Sequence, residues 1–268
     1  MMKIFVINLK TSLQRRKIME RQLNKLKLPF EFFDAVQGSA LTQEEVMAYY
    51  DKDFYNTRPG YFTPGMAGCT LSHYFLYKKI VEENIKIALI LEDDMQLNKD
   101  LPGMLEKLSA QIRNDEVIML FYQSYFAINL CGPTASSLNN KYNLFQVADT
   151  KGLRSTGGYL ITYEAAKSMA EKLLPFCAFP DDWKSFYDRK ILNGVRVLYP
   201  FLLENTYQPT TISPNTKGGS IVKKIVPFVE AKKIFPVYQL LKWRRKIKIA
   251  QTRRCFIINE LPVDFREN

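Results

Sequence analysis

The chain has 268 residues, of which 47% are hydrophobic and 24% are charged. These values are ordinary for a globular protein, and they exclude a disordered, collagen-like or coiled-coil chain. The net charge of +11 is concentrated in residues 217–254, which carry 12 basic residues and one acidic residue. Residues 1–216 are nearly neutral, with 25 basic and 23 acidic residues. A neutral body with one basic segment predicts an anionic partner surface.

Short apolar runs alternate with helical patterns along the neutral body. Strands are predicted at 3–9, 30–36, 86–91, 117–122, 144–147, 159–162 and 195–198. Helices are predicted at 13–27, 42–50, 66–83, 101–112 and 164–174, with another opening near residue 182 and a loop over 51–65. This alternation predicts an α/β domain with a mostly parallel sheet over residues 1–216. Residues 217–268 form a predicted basic C-terminal segment, with an amphipathic helix over 237–250.

The cysteine pattern and the lack of apolar stretches indicate the compartment. The four cysteines are widely spaced, without a CxxC pair or a Cys/His cluster, which argues against a structural zinc site and predicts reduced thiols. The apolar run at the N-terminus is too short for a signal peptide. No stretch approaches the roughly 20 apolar residues of a membrane span. The sequence therefore predicts a cytoplasmic protein.

Three carboxylates, Glu92-Asp93-Asp94, follow the most hydrophobic predicted strand. Ligands of open α/β sheets bind beyond the carboxyl ends of strands. Glu92 and Asp94 project to the same side if the strand continues, and such hard oxygen ligands suit Mg²⁺ or Mn²⁺ with a diphosphate. Asp93 would point elsewhere, towards a ribose hydroxyl. The structural alternative is a solvated turn that caps the following helix.

A second acidic pair, Asp181-Asp182, stands at a predicted helix start. Transfer of a group to a hydroxyl needs a general base near the attacked carbon, and this pair supplies the candidates. Asp182 is the expected base and Asp181 the second candidate. The alternative is an N-cap with an acid in the first helical turn.

Five motifs in order resemble glycosyltransferase family 25, which includes lipooligosaccharide (LPS core) galactosyltransferases and collagen galactosyltransferase domains. The resemblance covers about residues 3–213. The motifs are Val6-Ile7-Asn8-Leu9 with Arg15-Arg16, Gly68-Cys69-x-x-Ser72-His73, Leu91-Glu92-Asp93-Asp94, Gly157-Gly158-Tyr159-Leu160-Ile161, and Asp182 within Pro-Asp-Asp-Trp.

The resemblance implies a GT-A-like fold, a UDP-sugar donor, Mn²⁺ (or Mg²⁺) and inversion at the anomeric carbon. It implies metal binding by Glu92 and Asp94, and a catalytic base at Asp182 or Asp181. The nucleotide-sugar residues that it implies are Asn8, Leu9, Arg15, Arg16, Gly68, Ser72, His73, Asp93, Gly157 and Gly158.

Two of these assignments have simpler alternatives. His73 is the only histidine, and a single histidine beside apolar helix residues is often a structural hydrogen-bonding group. Gly157-Gly158 forms either a tight turn before a strand or a close backbone approach to the donor sugar.

The basic segment has three interpretations: a solvated tail, a nucleic-acid surface or a membrane-binding surface. No nucleic-acid-binding module is recognisable, so we expect no nucleic-acid partner. We expect peripheral attachment to the anionic inner leaflet of the cytoplasmic membrane through residues 217–254. The side chains expected to insert are Phe228, Ile234, Phe235, Trp243 and Ile247.

The resulting expectation is an enzyme that moves galactose from UDP-galactose to a lipooligosaccharide core acceptor, with a β-1,4 linkage. Alternatives are the same fold with UDP-glucose or a UDP-N-acetylhexosamine, a metal-dependent nucleotidyltransferase, and a membrane-associated glycan-binding protein without turnover.

Overall fold

The computed structural model describes residues 2–57, 62–205, 229 and 234–262. Its centre is an eight-stranded sheet with the strand order β2-β1-β3-β9-β5-β10-β8-β7. These strands are β1 (Lys3–Asn8), β2 (Glu31–Asp34), β3 (Ile87–Glu92), β5 (Glu116–Met119), β7 (Ser136–Ser137), β8 (Asn143–Gln146), β9 (Gly158–Thr162) and β10 (Gly194–Tyr199). Two small sheets pair β4 (Met95–Leu97) with β11 (Leu203–Asn205), and β6 (Ile128–Cys131) with β12 (Cys255–Ile258).

The central sheet is mixed, which corrects the prediction of a mostly parallel sheet. Of its seven strand pairings, β1–β2, β1–β3 and β5–β10 are parallel and the other four are antiparallel. The prediction extended the alternation of strands and helices to the strands at 117–122, 144–147 and 159–162, although no helix is predicted between them. Instead, the chain leaves β5, forms β6 to β8, and returns as β9 between β3 and β5 in the opposite direction. Antiparallel pairing needs no crossover helix.

The helices are α1 (Leu13–Lys25), α2 (Gln43–Met47), α3 (Lys52–Asn56), α4 (Pro64–Glu82), α5 (Leu101–Gln111), α6 (Tyr163–Lys172), α7 (Trp183–Asp188) and α8 (Val237–Gln251). The predicted capping box of α2 is present between Thr42 and Glu45. The predicted loop over 51–65 was partly wrong, because it contains α3 and the first residues of α4. Asp51 caps α3 and Thr63 caps α4, so local capping offsets the aromatic and proline content of this stretch.

The sheet buries both of its faces. Alternate residues of β1 point to opposite sides, so Phe5 packs in one apolar cluster with α4 and α6, while Val6 packs in a second cluster with α1 and α5. The residues of β3 alternate in the same way, with Ile90 in the first cluster and Leu91 in the second. This three-layer packing explains why these strands read as continuous apolar runs.

The end of the predicted C-terminal segment packs on the body. β12 pairs with β6 in parallel register, and the backbone N–H of Ile128 donates to the carbonyl of Arg254. The expected boundary after residue 216 and the expected role of Phe228 lie outside the described residues, as do residues 217–228. Within the described part of the chain, no helix is both long and apolar enough to cross a bilayer.

The predicted helix over 237–250 is observed as α8. Its exposed side chains include Val237, Leu240, Trp243 and Ile247, which recur every three or four residues along one stripe. Phe235, just before the helix, is 76% exposed. The four cysteines are all unpaired.

Candidate active site

A cleft of about 440 Å³ lies beyond the carboxyl ends of the parallel strands β1 and β3. Ile7 of β1 is in register with Glu92 of β3, so the residues after both strands meet at this edge. The cleft is lined by Ile7, Leu9, Thr11, Arg15, Ala35, Val36, Gln37, Gly38, Ser39, Thr63, Pro64, Gly65, Gly68, Cys69, Ser72, His73, Glu92, Asp93 and Asp94.

Asp93 is held inside the protein by two donors from the N-terminal segment. The side-chain amide of Asn8 donates to Oδ2 at 2.7 Å, and Arg15 donates to Oδ1 at 2.8 Å. Asn8 and Asp93 are both buried. The predicted residues Asn8 and Arg15 therefore meet the acidic motif directly, and their contact fixes the turn that follows β3.

Glu92 has a different environment from Asp93. Thr156 donates to its Oε1 at 2.5 Å, and Nε2 of His73 lies 3.7 Å from the same oxygen. Burial raises the pKa of Glu92, but its interactions with His73, Thr156 and Arg15 lower it by more, so the net direction is downward. Glu92 is thus held as a carboxylate at the cleft wall.

Asp94 carries the least compensated charge of the motif. Burial, followed by repulsion from Glu92, raises its pKa to about 7. The amide of Asn205, on β11, lies 3.4 Å from its Oδ2. Two carboxylates that repel each other at a partly open cleft are a donor set that a divalent cation fits, because the ion replaces repulsion by attraction to hard oxygen ligands.

The predicted residues Gly68, Ser72 and His73 line the cleft from α4. Ser72 Oγ donates to the carbonyl of Gly68 at 2.6 Å and accepts from the backbone N–H of Val36 at 2.9 Å, which pins the loop after β2 to the helix. His73 is 2% exposed, and its Nδ1 lies 2.8 Å from the hydroxyl of Tyr159. Gly68 and Ser72 therefore shape the cleft wall, and His73 is oriented from behind it.

Four of the predicted nucleotide-sugar residues are absent from the cleft walls: Asn8, which reaches the cleft through Asp93, and Arg16, Gly157 and Gly158. Arg16 faces Asp34 at 3.8 Å and stacks over the ring of Phe32. A Cβ at Gly157 would come within 2.8 Å of Met95 Sδ, and one at Gly158 within 2.0 Å of Leu203 Cδ1. The two glycines thus allow close packing of β9 against core side chains, which accounts for glycine at both positions without a donor sugar.

The two aspartates before α7 have different environments. Asp182 caps α7 by accepting from the N–H of Ser185 at 3.4 Å, and it forms an ion pair with Arg154 at 2.7 Å. The pKa of Asp181 is raised, first by burial and then by the charges of Asp182 and Glu92, against the lowering effect of Arg154. Neither Asp181 nor Asp182 is among the residues that line the cleft.

Several site residues had no signal in the sequence. Thr156 and Asn205 contact the acidic motif from 64 and 111 residues away, and their types are common in loops. Gly38 also escaped notice, although a Cβ there would lie 1.6 Å from the carbonyl oxygen of Pro64. Only the assembled tertiary structure brings these residues to the cleft.

The fold is α/β, and its acidic cleft lies at the carboxyl ends of two parallel strands. This is the position at which ligand-binding α/β proteins hold their ligands. Comparison with known sequences is more specific. The chain matches glycosyltransferase family 25 (LPS biosynthesis protein) over residues 1–183, and it belongs to that family. The prediction made from the five motifs is confirmed.

Individual relatives match parts of the chain. Procollagen galactosyltransferase 1-B of Xenopus laevis is 41% identical over 99 residues, which is 35% of this chain and 16% of that protein. Lipooligosaccharide biosynthesis protein lic2B of Haemophilus influenzae is 26% identical over 170 residues, which is 62% of this chain and 61% of that protein. The chain therefore spans less than two thirds of either relative.

One solved structure, a glycosyltransferase involved in the glycosylation of the major capsid of PBCV-1, aligns with 73% of this chain and 81% of its own. The TM-score is 0.35 and the sequence identity is 12%.

Proposed function

We propose that the protein is an inverting, metal-dependent glycosyltransferase of GT-A-like fold that uses a UDP-sugar donor. The observation that carries this proposal is the cleft beyond β1 and β3, where Glu92 and Asp94 present carboxylates and Asp93 is held by Asn8 and Arg15. Membership of glycosyltransferase family 25 supports the reaction class.

Glu92 and Asp94 are the residues that would hold Mn²⁺ or Mg²⁺. When bound, such an ion offsets the negative charge that develops on a departing nucleoside diphosphate. Asp93 has a supporting role in this proposal, because its two oxygens accept hydrogen bonds from Asn8 and Arg15. Leu9 and Arg15 line the same cleft, and in this proposal they contact the nucleotide.

Asp181 is the better candidate for the general base. The carboxylate of Asp182 is engaged by Arg154 and by the N-terminus of α7, which are the contacts of a structural residue. A base works best when its pKa lies near the working pH, and the raised pKa of Asp181 moves it in that direction. This proposal reverses the order of preference that the sequence suggested.

The proposed reaction is a single displacement. Asp181 takes the proton of the acceptor hydroxyl while that oxygen attacks the anomeric carbon. The bond between the anomeric carbon and the diphosphate oxygen breaks, its electron pair leaves with UDP, and the configuration at the anomeric carbon is inverted.

Galactose is the donor sugar that we favour, and a lipooligosaccharide core is the acceptor, with a β-1,4 linkage. The support is the names of the relatives, which are a procollagen galactosyltransferase and a lipooligosaccharide biosynthesis protein. UDP-glucose and UDP-N-acetylhexosamines are the alternative donors.

The location that we propose is the cytoplasmic face of the inner membrane. α8 supports it with an exposed apolar stripe that includes Leu240 and Trp243, in a segment rich in Lys and Arg. Basic residues contribute about 1 kcal/mol each near an anionic leaflet. A lipid-linked acceptor would be met there.

The direct test is a thermal-shift screen of the metal-free protein against UDP-galactose, UDP-glucose and UDP-N-acetylhexosamines, with and without Mn²⁺. A ligand at 100 times its Kd stabilises the folded state by about 2.7 kcal/mol, so a specific donor stands out. We expect UDP-galactose with Mn²⁺ to give the largest shift.

Two variants sharpen this test. Asp94→Ala should lose the Mn²⁺-dependent part of the shift and abolish transfer, whereas Asp188→Asn, in an exposed pair with Lys184, should change neither. Stabilisation by no UDP-sugar, or full transfer by Asp94→Ala, would overturn the proposal. UDP-sugar hydrolysis in the presence of Mn²⁺ distinguishes an enzyme from a glycan-binding protein.

A further inference from the structure

Three side chains of different chemistry converge on one wall of the cleft. They are the thiol of Cys69, the imidazole of His73 and the carboxylate of Glu92, and one ligand atom from each lies within 4.8 Å of the other two. Cys69 and His73 are four residues apart on α4, so they share a helix face. Glu92 ends β3 opposite them. The sequence alone does not indicate this cluster, because Glu92 lies 19 residues from His73 on another element.

One ring nitrogen of His73 has a hydrogen-bond partner among the described residues, and the other has none. Nδ1 lies 2.8 Å from the hydroxyl of Tyr159, which lies 2.7 Å from that of Tyr77. Nε2 is buried, has no hydrogen-bond partner among the described residues, and lies 3.7 Å from Oε1 of Glu92. A buried polar atom without a partner is uncommon and indicates a ligand when it faces a cleft.

The tyrosine pair orients His73 as a metal ligand is oriented. When Nδ1–H donates to the hydroxyl oxygen of Tyr159, the lone pair of Nε2 points to the cleft, and the hydroxyl of Tyr159 can donate to the oxygen of Tyr77. Metal-binding histidines usually donate their second ring N–H to a carboxylate, a backbone carbonyl or water, and the hydroxyl of Tyr159 takes that place here. Thr156 fixes Glu92 in the same way, through its 2.5 Å hydrogen bond.

We propose that Cys69, His73 and Glu92 form a binding site for a transition-metal ion of borderline softness, with Zn²⁺ as the best-fitting ion. Sulfur, nitrogen and oxygen donors with one position open to the cleft match the three-ligand sites of Zn²⁺. Tetrahedral bonds of about 2.0–2.3 Å place ligand atoms about 3.5 Å apart, and the 3.7 Å between His73 and Glu92 already meets this spacing.

This site differs from the oxygen pair of the proposed function and does not rest on it. Mn²⁺ and Mg²⁺ favour oxygen ligands, whereas a thiolate favours softer ions. Glu92 belongs to both sets, so an ion at the Cys69–His73–Glu92 site competes with Mn²⁺ for this carboxylate. Zn²⁺ should therefore reduce any Mn²⁺-dependent stabilisation by a UDP-sugar in the wild type.

The experiment uses the full chain, stripped of metal by a chelator and titrated with Co²⁺, an ion that reports its ligands spectroscopically. We expect a thiolate-to-cobalt charge-transfer band in the near ultraviolet, which Zn²⁺ then displaces. Cys69→Ser should remove this band and weaken Zn²⁺ binding at least about tenfold. Cys177→Ser is the matched control, because this half-buried cysteine lies outside the cleft walls.

A second variant guards against loss of folding. His73→Gln should weaken Zn²⁺ binding while circular dichroism confirms a folded chain, and Cys69→Ser, a change of one atom, serves alone if His73→Gln does not fold. An unchanged cobalt spectrum in Cys69→Ser, or loss of the band in Cys177→Ser, overturns the proposal. The cobalt spectrum requires no UDP-sugar, so its failure is distinguishable from failure of the proposed enzyme activity.

Discussion

Glu92, Asp93 and Asp94 are adjacent in the chain, yet their surroundings differ. Asp93 is bonded to Asn8 and Arg15, and Glu92 accepts a hydrogen bond from Thr156. Asp94 is half-buried beside Glu92 and has a pKa raised to about 7. Three carboxylates of one motif therefore divide into a structural residue and two candidates for metal binding.

The raised pKa of Asp94 predicts a pH-dependent stability. In the metal-free protein, the folded state retains a proton that the unfolded state releases, so the free energy of unfolding should fall as the pH rises from about 4 to 7. Asp94→Asn removes this penalty and should raise the melting temperature at pH 8 by at least about 2 °C. Thermal unfolding in a chelator measures it.

Mn²⁺ should give the wild type a higher melting temperature than Asp94→Asn, because the ion stabilises the wild type and not the variant. A lower melting temperature for metal-free Asp94→Asn at pH 8 would contradict the burial argument.

Asp181 and Asp182 give a second prediction. Asp181→Asn should lower kcat by about 10²-fold or more, the usual contribution of a general base. Because burial raises the pKa of Asp181, wild-type activity should decline with falling pH at a higher pH than an ordinary aspartate would give, and this limb should vanish in Asp181→Asn. The pH profile of transfer, measured for the wild type and for Asp181→Asn, checks this prediction.

Asp182→Asn is the matched control. It removes a helix cap and the ion pair with Arg154, so it should lower stability by about 1 kcal/mol. The acidic limb should persist but move to lower pH, because the charge of Asp182 no longer raises the pKa of Asp181. A larger loss of kcat in folded Asp182→Asn than in Asp181→Asn would favour the original preference for Asp182.

At the scale of the elements, the N-terminus of α4 packs against the loop after β2 by backbone contact. A Cβ at Gly38 would lie 1.6 Å from the carbonyl oxygen of Pro64, and one at Gly68 would lie 2.6 Å from that of Val36. Glycine at these two positions is what lets the loop and the helix form one wall of the cleft.

Gly38→Ala should therefore destabilise the protein by more than about 2 kcal/mol, because backbone atoms must move apart to admit the methyl group. Gly103→Ala, on an exposed position of α5 with nothing within 4 Å, should instead stabilise it by up to about 1 kcal/mol. Urea denaturation compares the two variants. Equal stability of Gly38→Ala and wild type would show that the wall can relax.

At the scale of the whole molecule, α8 presents apolar side chains outward. The strand that follows it, β12, pairs with β6 of the body. Leu240 is 54% exposed and Trp243 60% exposed. This arrangement suits a surface that contacts a membrane without crossing it.

The intact chain should float with vesicles that contain anionic lipid, and a chain truncated after Asn215 should not. Truncation also uncovers β6, so the sharper variant is Leu240→Ser with Trp243→Ser in the full chain, and Leu13→Ser, an exposed apolar residue of α1, is its control. Equal flotation of the double variant and wild type would contradict attachment through α8.

Much of the fold was predictable because it depends on local patterns. Apolar runs identified β1 and β3, and the Thr42–Glu45 capping box identified α2. The direction of β9 was not predictable, since an apolar strand carries no signal that separates parallel from antiparallel neighbours. α3 was missed because its aromatic residues and the nearby prolines resemble a loop.

The sequence by itself determined the family, the acidic motif after β3 and the separation of a neutral body from a basic segment, because each depends on residues close together in the chain. Tertiary structure decided which polar side chain binds each carboxylate of the acidic motif. Asn8 meets Asp93, Thr156 meets Glu92, and Asn205 meets Asp94 across separations of 85, 64 and 111 residues. It also gathered Cys69 and His73 against Glu92. Such contacts arise only when strands and helices pack, because packing, and not sequence spacing, sets distances between elements.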